Sequence, residues 1–222
     1  MPWLFLFLVW LGDPYAAQRE SMVRDQIEAR GVRDPAVLRA MRAVPRHLFV
    51  PEPVRAMAYR DHPLPIGESQ TISQPYIVAL MTELLRPAQS HTVLEIGTGS
   101  GYQAAVLAKL VKHVYTLERI GSLAASARTV LASEGYRNVT VRHGDGYLGW
   151  PEAAPFDRVI LTAAPAEVPQ TLIDQLRPGG ILVAPVGERP MGQELIVIEK
   201  DAGGKVRRRP IIPVMFVPMV KH

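Results

Sequence analysis

Residues 93–101 read Val93-Leu94-Glu95-Ile96-Gly97-Thr98-Gly99-Ser100-Gly101. An apolar run interrupted once by an acid predicts a buried strand. The glycines that follow predict a tight turn, and residues 101–110 carry a helical pattern. In an open α/β sheet, a ligand binds at the carboxyl end of such a first strand. Glycines there let the backbone come close, and the N–H groups of the following helix point at the ligand. The motif alone leaves the ligand open, because residues 99–104 also satisfy the dinucleotide pattern G-x-G-x-x-A.

Working outward, the alternation of strand and helix continues. Strands are expected at 92–96, 114–118, 139–143, 158–162 and 181–186, with helices at 101–110, 122–134 and 169–176 between them. That order predicts a parallel sheet covered by helices on both faces. Residues 194–200 and 206–212 flank Asp201-Ala202-Gly203-Gly204, a hairpin signal that adds an antiparallel edge. Upstream, residues 19–30 read as a helix stopped by Gly31, and Asp34-Pro35 as an N-cap followed by proline at the first helical position. Residues 61–75 hold three prolines and read as a long irregular loop, the usual seat of binding chemistry. Pro75 then opens a helix over 76–85.

Composition narrows the class. The chain has 222 residues, 48% of them hydrophobic and 21% charged, and no cysteine. This is an ordinary globular composition, and it excludes a disulfide scaffold, a thiolate nucleophile and an iron–sulfur centre. Six scattered histidines show no ligand spacing, so no metal is expected. Of the +4 formal charge, the stretch 200–222 carries six basic residues and one acid, leaving 19 basic and 20 acidic residues in a nearly neutral body. A nucleic-acid protein would show a basic face across its fold, so none is expected as a partner.

The acids sharpen the ligand. Glu118 ends the second strand, where a carboxylate accepts hydrogen bonds from ribose hydroxyls. Asp145, in His143-Gly144-Asp145-Gly146, ends the third, in reach of an adenine amine. Glu95 adds a further negative charge below the loop. Such a cluster repels a pyrophosphate and holds a cation. The nucleoside that carries a positive centre is S-adenosylmethionine, with its sulfonium.

The order of these motifs, through Phe156-Asp157-Arg158-Val159-Ile160 and Leu176-Arg177-Pro178-Gly179-Gly180, resembles a class I methyltransferase. Val44-Pro45-Arg46-His47-Leu48-Phe49-Val50-Pro51 and Pro63-Leu64-Pro65-Ile66-Gly67-Glu68-Ser69-Gln70-Thr71-Ile72-Ser73-Gln74-Pro75 narrow the likeness to the protein-L-isoaspartate O-methyltransferase family, over residues 18–220. The resemblance implies a Rossmann-like fold with a seven-stranded, mostly parallel sheet, an antiparallel edge strand and an N-terminal helical extension. It also implies that the last two strands are swapped in order. It makes S-adenosylmethionine the methyl donor and the free α-carboxylate of an isoaspartyl residue the acceptor, with D-aspartyl acceptance open. The ester then closes to a succinimide, which hydrolyses partly to normal aspartate.

Residue by residue, the likeness makes Ser73 the catalytic position. It gives the donor Glu95, Gly97, Thr98, Gly99, Ser100, Gly101, Glu118, Asp145 and Gly146, with Thr71 and Ile72. The peptide falls to Ile66, Gly67, Gln70, Pro185 and Val186, and to a channel partly formed by residues 214–218. A carboxylate is already ionised at neutral pH, so no general base is needed. Ser73 is expected to orient the acceptor, although a serine just before a helix also commonly caps it.

Residues 18–222 are expected to form one methyltransferase domain: a helical cap and substrate loop to 90, a cofactor core over 91–200 and a C-terminal edge from 201. A monomer is expected. Residues 3–11 form an apolar run too short to span a bilayer, readable as a signal or anchor. Because the donor is made in the cytoplasm, that compartment is favoured, with export or anchoring the alternative. Two functional alternatives stand. One is an RNA base methyltransferase using Lys205 and Arg207-Arg208-Arg209, residues that otherwise discourage pairing at a sheet edge. The other is an inactive scaffold that binds the donor.

Overall fold

A computed structural model describes residues 13–188 and 192–221. The apolar run at 3–11 lies outside the described residues. Among the described residues, no helix is long and apolar enough to cross a membrane.

The chain enters through α1 (Ala16–Ser21), which continues as a π-helical stretch (Met22–Ile27) and a 3-10 turn (Glu28–Arg30). One helical rod was expected here; the wider turn brings Met22, Val23 and Ile27 all into the core. Helix α2 (Pro35–Ala43) starts as expected: the Asp34 side chain accepts from the amides of Ala36 and Val37. Two 3-10 stretches, Arg46–Phe49 and Glu52–Met57, lead to residue 61.

Residues 61–75 are not an irregular loop. They form an antiparallel hairpin of β1 (Leu64–Gly67) and β2 (Gln70–Ile72). Glu68 and Ser69 make its tip, both at positive φ (52° and 56°). A two-residue hairpin turn of that kind usually advertises itself with Asn-Gly, and here it does not. Proline is tolerated in β1 because the strand has a partner on one side only. Helix α3 (Pro75–Leu85) follows.

The core then alternates as expected: β3 (Thr92–Ile96), α4 (Tyr102–Ala108), β4 (His113–Glu118), α5 (Gly121–Ser133), β5 (Val139–His143), β6 (Phe156–Leu161), α6 (Gln170–Asp174), β7 (Leu176–Val186), β8 (Gln193–Lys200) and β9 (Val206–Val214). The sheet order is β5-β4-β3-β6-β7-β8-β9. The first five strands are parallel, and β8 runs antiparallel to both β7 and β9. The last two strands are therefore not swapped along the sheet. They follow chain order, because the turn at 201–205 joins β8 to β9 as a hairpin. Strand β7 also begins before the Pro178-Gly179-Gly180 break, at Leu176 opposite Phe156, and a register irregularity absorbs the difference.

Two apolar layers sandwich the sheet. Val93, Ile160, Val183 and Val197 face α3 and α4, while Leu94, Val159, Leu182 and Ile198 face the α6 side. Burying a side chain of this size contributes about 1.5–3 kcal/mol, so the central strand ends are held rigidly. Those ends carry the site.

Candidate active site

A cleft opens at the carboxyl ends of β3, β4 and β6. Its floor is Ile96, Gly97, Thr98, Gly99 and Ser100 from the turn after β3. Gly97 has φ 98°, and a Cβ there would strike the Thr162 hydroxyl, which donates to the carbonyls of Ile96 and Gly97. Only glycine fits that position. Gly101 does not line the cleft; it turns the chain into α4.

One wall comes from the end of β4. Glu118 is buried, its Oε2 accepting the Gly99 amide at 2.8 Å and its Oε1 the Ile120 amide at 2.9 Å. A carboxylate has further lone pairs, and these remain for a ligand's hydroxyls. Gly146 lines the cleft at the end of β5, and a Cβ there would strike Ile96 Cγ2. Asp145 does not line it. Its carboxylate instead accepts the Tyr147 amide at 2.9 Å and caps the short turn that presents Gly146.

Glu95 needs a larger correction. It was expected to add charge beneath the loop, yet it is fully buried beside Thr116 of β4 and outside the cleft lining. Neither carboxylate oxygen has a hydrogen-bond partner. Burial pushes its carboxyl up to about 8, against a smaller downward pull from the neighbouring Thr116 hydroxyl, and the Glu118 charge adds to the rise. A desolvated acid without a cationic partner keeps its proton at neutral pH. The expected rim of three acids therefore reduces to Glu118 in the lining itself.

The opposite wall is the hairpin and the segment after it: Gln70, Thr71, Ile72 and Ser73 all line the cleft. Ser73 does not cap α3. Gln74 is the N-cap residue, and the Ser73 hydroxyl makes no hydrogen bond within the described residues. Ile66 sits outside the cleft and leans on the loop, so that a Cβ on Gly99 would lie 3.3 Å from its Cδ1. Gly67, Pro185 and Val186 also stay off the cleft; the last two are buried in β7 opposite Leu195 and Glu194.

A third wall was only partly foreseen. Val217, Pro218, Met219 and Val220 close the cleft from the C-terminal side. They are strapped down by Ala164, which exchanges backbone hydrogen bonds with Val217 and Met219 (both 2.8 Å). Gln193 grips both polar backbone atoms of Phe216 (2.6 and 3.2 Å). Thr162, Met219 and Val220 were missed, as were Arg119 and Ile120, which directly follow Glu118 and were open to the same strand-end argument.

Residues 17–222 match the family described as protein-L-isoaspartate(D-aspartate) O-methyltransferase. The chain belongs to this family. It is 60% identical over 214 residues to the protein-L-isoaspartate O-methyltransferase of Synechococcus sp. (strain JA-2-3B'a(2-13)), covering 94% of this chain and 87% of that one. Among solved structures, a protein-L-isoaspartate O-methyltransferase superposes with a TM-score of 0.82 at 28% identity, over 90% of this chain and 65% of that chain. A putative family member from Plasmodium falciparum, in complex with S-adenosyl-L-homocysteine, gives a TM-score of 0.80 at 25% identity, over 92% and 99%. As an isoaspartyl methyltransferase, the chain uses S-adenosylmethionine to methylate isoaspartyl residues for protein repair.

The cleft fits that donor on its own terms. Glycines stand where a Cβ would intrude, a buried carboxylate stands at the end of β4, and Ile96, Leu117 and Met219 supply apolar surface. Among the lining residues, Arg119 is the lone cation, whereas a pyrophosphate-bearing ligand would call for more.

Proposed function

We propose that methyl transfer goes to the free α-carboxylate of an L-isoaspartyl residue, with Ser73 holding that carboxylate. One observation carries this reading: a single cleft joins the glycine loop to a serine hydroxyl that no hydrogen bond engages among the described residues. When bound, S-adenosylmethionine supplies an electrophilic methyl group on a cationic sulfur. The chain's own contribution is placement. Glu118 and the amides of the loop seat the nucleoside end, with Gly146 leaving room beside Ile96. Ser73 donates its O–H to one acceptor oxygen and leaves the other free to react. No side chain needs to remove a proton, since an α-carboxylate titrates far below neutrality. The hairpin and the 217–220 segment wall the cleft on two sides, and shielding a site from water favours a step in which opposite charges neutralise.

We read residues 18–222 as one catalytic unit, a monomer acting in the cytoplasm where its donor is made. Sedimentation and N-terminal sequencing of the isolated protein check both points.

The test is incubation with methyl-labelled donor and matched isoaspartyl and aspartyl peptides. Base-labile label, released as methanol, is expected from the isoaspartyl peptide only. Ser73→Ala should lower turnover roughly 10- to 100-fold, since a hydrogen bond to a charged group contributes about 1.5–3 kcal/mol. Donor affinity should hold within twofold. Base-stable label, or label on RNA, would reject the reading.

A further inference from the structure

A serine just ahead of a helix usually spends its hydroxyl on the first turn. Ser73 does not, and Gln74, the N-cap residue of α3, makes no side-chain cap either. The duty passes to Asp61, which stands ahead of β1. Its Oδ1 accepts the Tyr76 amide at 3.2 Å, 15 residues along the chain. Its Oδ2 accepts Nε2 of Gln74 at 2.6 Å and a guanidinium N–H of Arg30, also at 2.6 Å. Arg30 in turn lies over the Tyr76 ring, 3.5 Å from its centroid. The residues on the C-terminal side of Ser73 are thus clamped by a carboxylate from the segment that enters the hairpin, at its open end. Asp61 is only 21% exposed and Arg30 45%, so the pair is partly shielded.

We propose that Asp61 is a positioning residue for the acceptor side of the site. By capping α3 from outside, it releases the Ser73 hydroxyl from that role and fixes the backbone that aims it into the cleft. Arg30 completes the clamp by holding the carboxylate with its oxygens toward Gln74 and Tyr76. The inference rests on the role of Ser73 proposed above and goes beyond it, since Asp61 itself does not line the cleft.

The experiment is a double-mutant cycle on the full chain with Asp61→Ala, Ser73→Ala and the pair, and with Asp61→Asn as a milder variant. Turnover on an isoaspartyl peptide is measured together with donor affinity by calorimetry. Asp61→Ala should lower kcat roughly tenfold, the scale expected when a reacting group is misplaced by a fraction of an ångström. Donor affinity should stay within twofold. In the Ser73→Ala background the same change should cost less than twofold more. Asp61→Asn keeps an acceptor for the Tyr76 amide but loses the ionic contact with Arg30, so its kcat should fall between parent and alanine. If the alanine variant does not fold, asparagine carries the cycle. A general role in stability would give the same loss in both backgrounds, or a parallel loss of donor affinity, and either result overturns the proposal. Full activity in Ser73→Ala alone would instead overturn the role of Ser73, so the two failures are told apart.

Discussion

Replacing Glu95 by glutamine should make the protein markedly less sensitive to alkali. Glu95 is fully buried, its oxygens lack partners, and its carboxyl is pushed from an ordinary 4.5 to about 8. Because the folded value is the higher one, the folded state keeps a proton that the unfolded chain gives up above pH 4.5. Stability therefore falls as pH rises from there and levels off only above about pH 8. Between pH 5 and pH 8 the accumulated loss comes to about 3.5 kcal/mol, at 1.36 kcal/mol for each unit over which only the unfolded state is ionised and less at the two ends of the range, where ionisation is partial. Glutamine has no such titration, so the stability gap between Glu95→Gln and the parent should widen in the mutant's favour by that amount. For a chain of this size each kcal/mol moves Tm by roughly 2–4 °C. Urea unfolding of both proteins at pH 5, 6.5 and 8 reads the effect directly. Parallel pH profiles would refute the argument, and would mean that Glu95 is ionised in the fold and paired with something.

Other outcomes follow from the walls of the cleft. Gly146→Ala would drive a methyl group against Ile96 and to within 3.1 Å of Met219 Cε. Overpacking of this kind costs about 1–3 kcal/mol, so donor affinity measured by calorimetry should fall roughly 5- to 100-fold, with a smaller change in turnover at saturating donor. Gln193→Ala removes two buried hydrogen bonds to the Phe216 backbone. It should lower stability by about 1–3 kcal/mol and raise KM for the peptide, checked by thermal unfolding and steady-state kinetics.

The parts legible from sequence were those whose physics is local. A buried strand, a glycine turn and a helix start are set by residues 93–102, and the Asp34-Pro35 cap by two neighbours. The hairpin at 64–72 was hidden because its turn uses Glu68 and Ser69 and its strand holds Pro65, so composition pointed to a loop. Thr162 reaches Gly97 only because β6 lies next to β3, a fact of sheet order that spacing does not reveal. Glu95 misled for a related reason. An acid at a strand end reads as a charge at the rim, but alternation along β3 turns this one away from the cleft, toward the layer of Val93. The capping role suggested for Ser73 failed because Asp61, far away in sequence, had already taken it.

The hairpin has a mechanical consequence. Ile66 leans on Gly99, Glu68 at the tip accepts from the Ser122 hydroxyl at 2.8 Å, and Ser73 follows directly on the returning strand. Any displacement of the tip would be carried along β2 to the serine. The same short ribbon thus ties the floor of the cleft at Gly99 and the start of α5 at Ser122 to the position of Ser73.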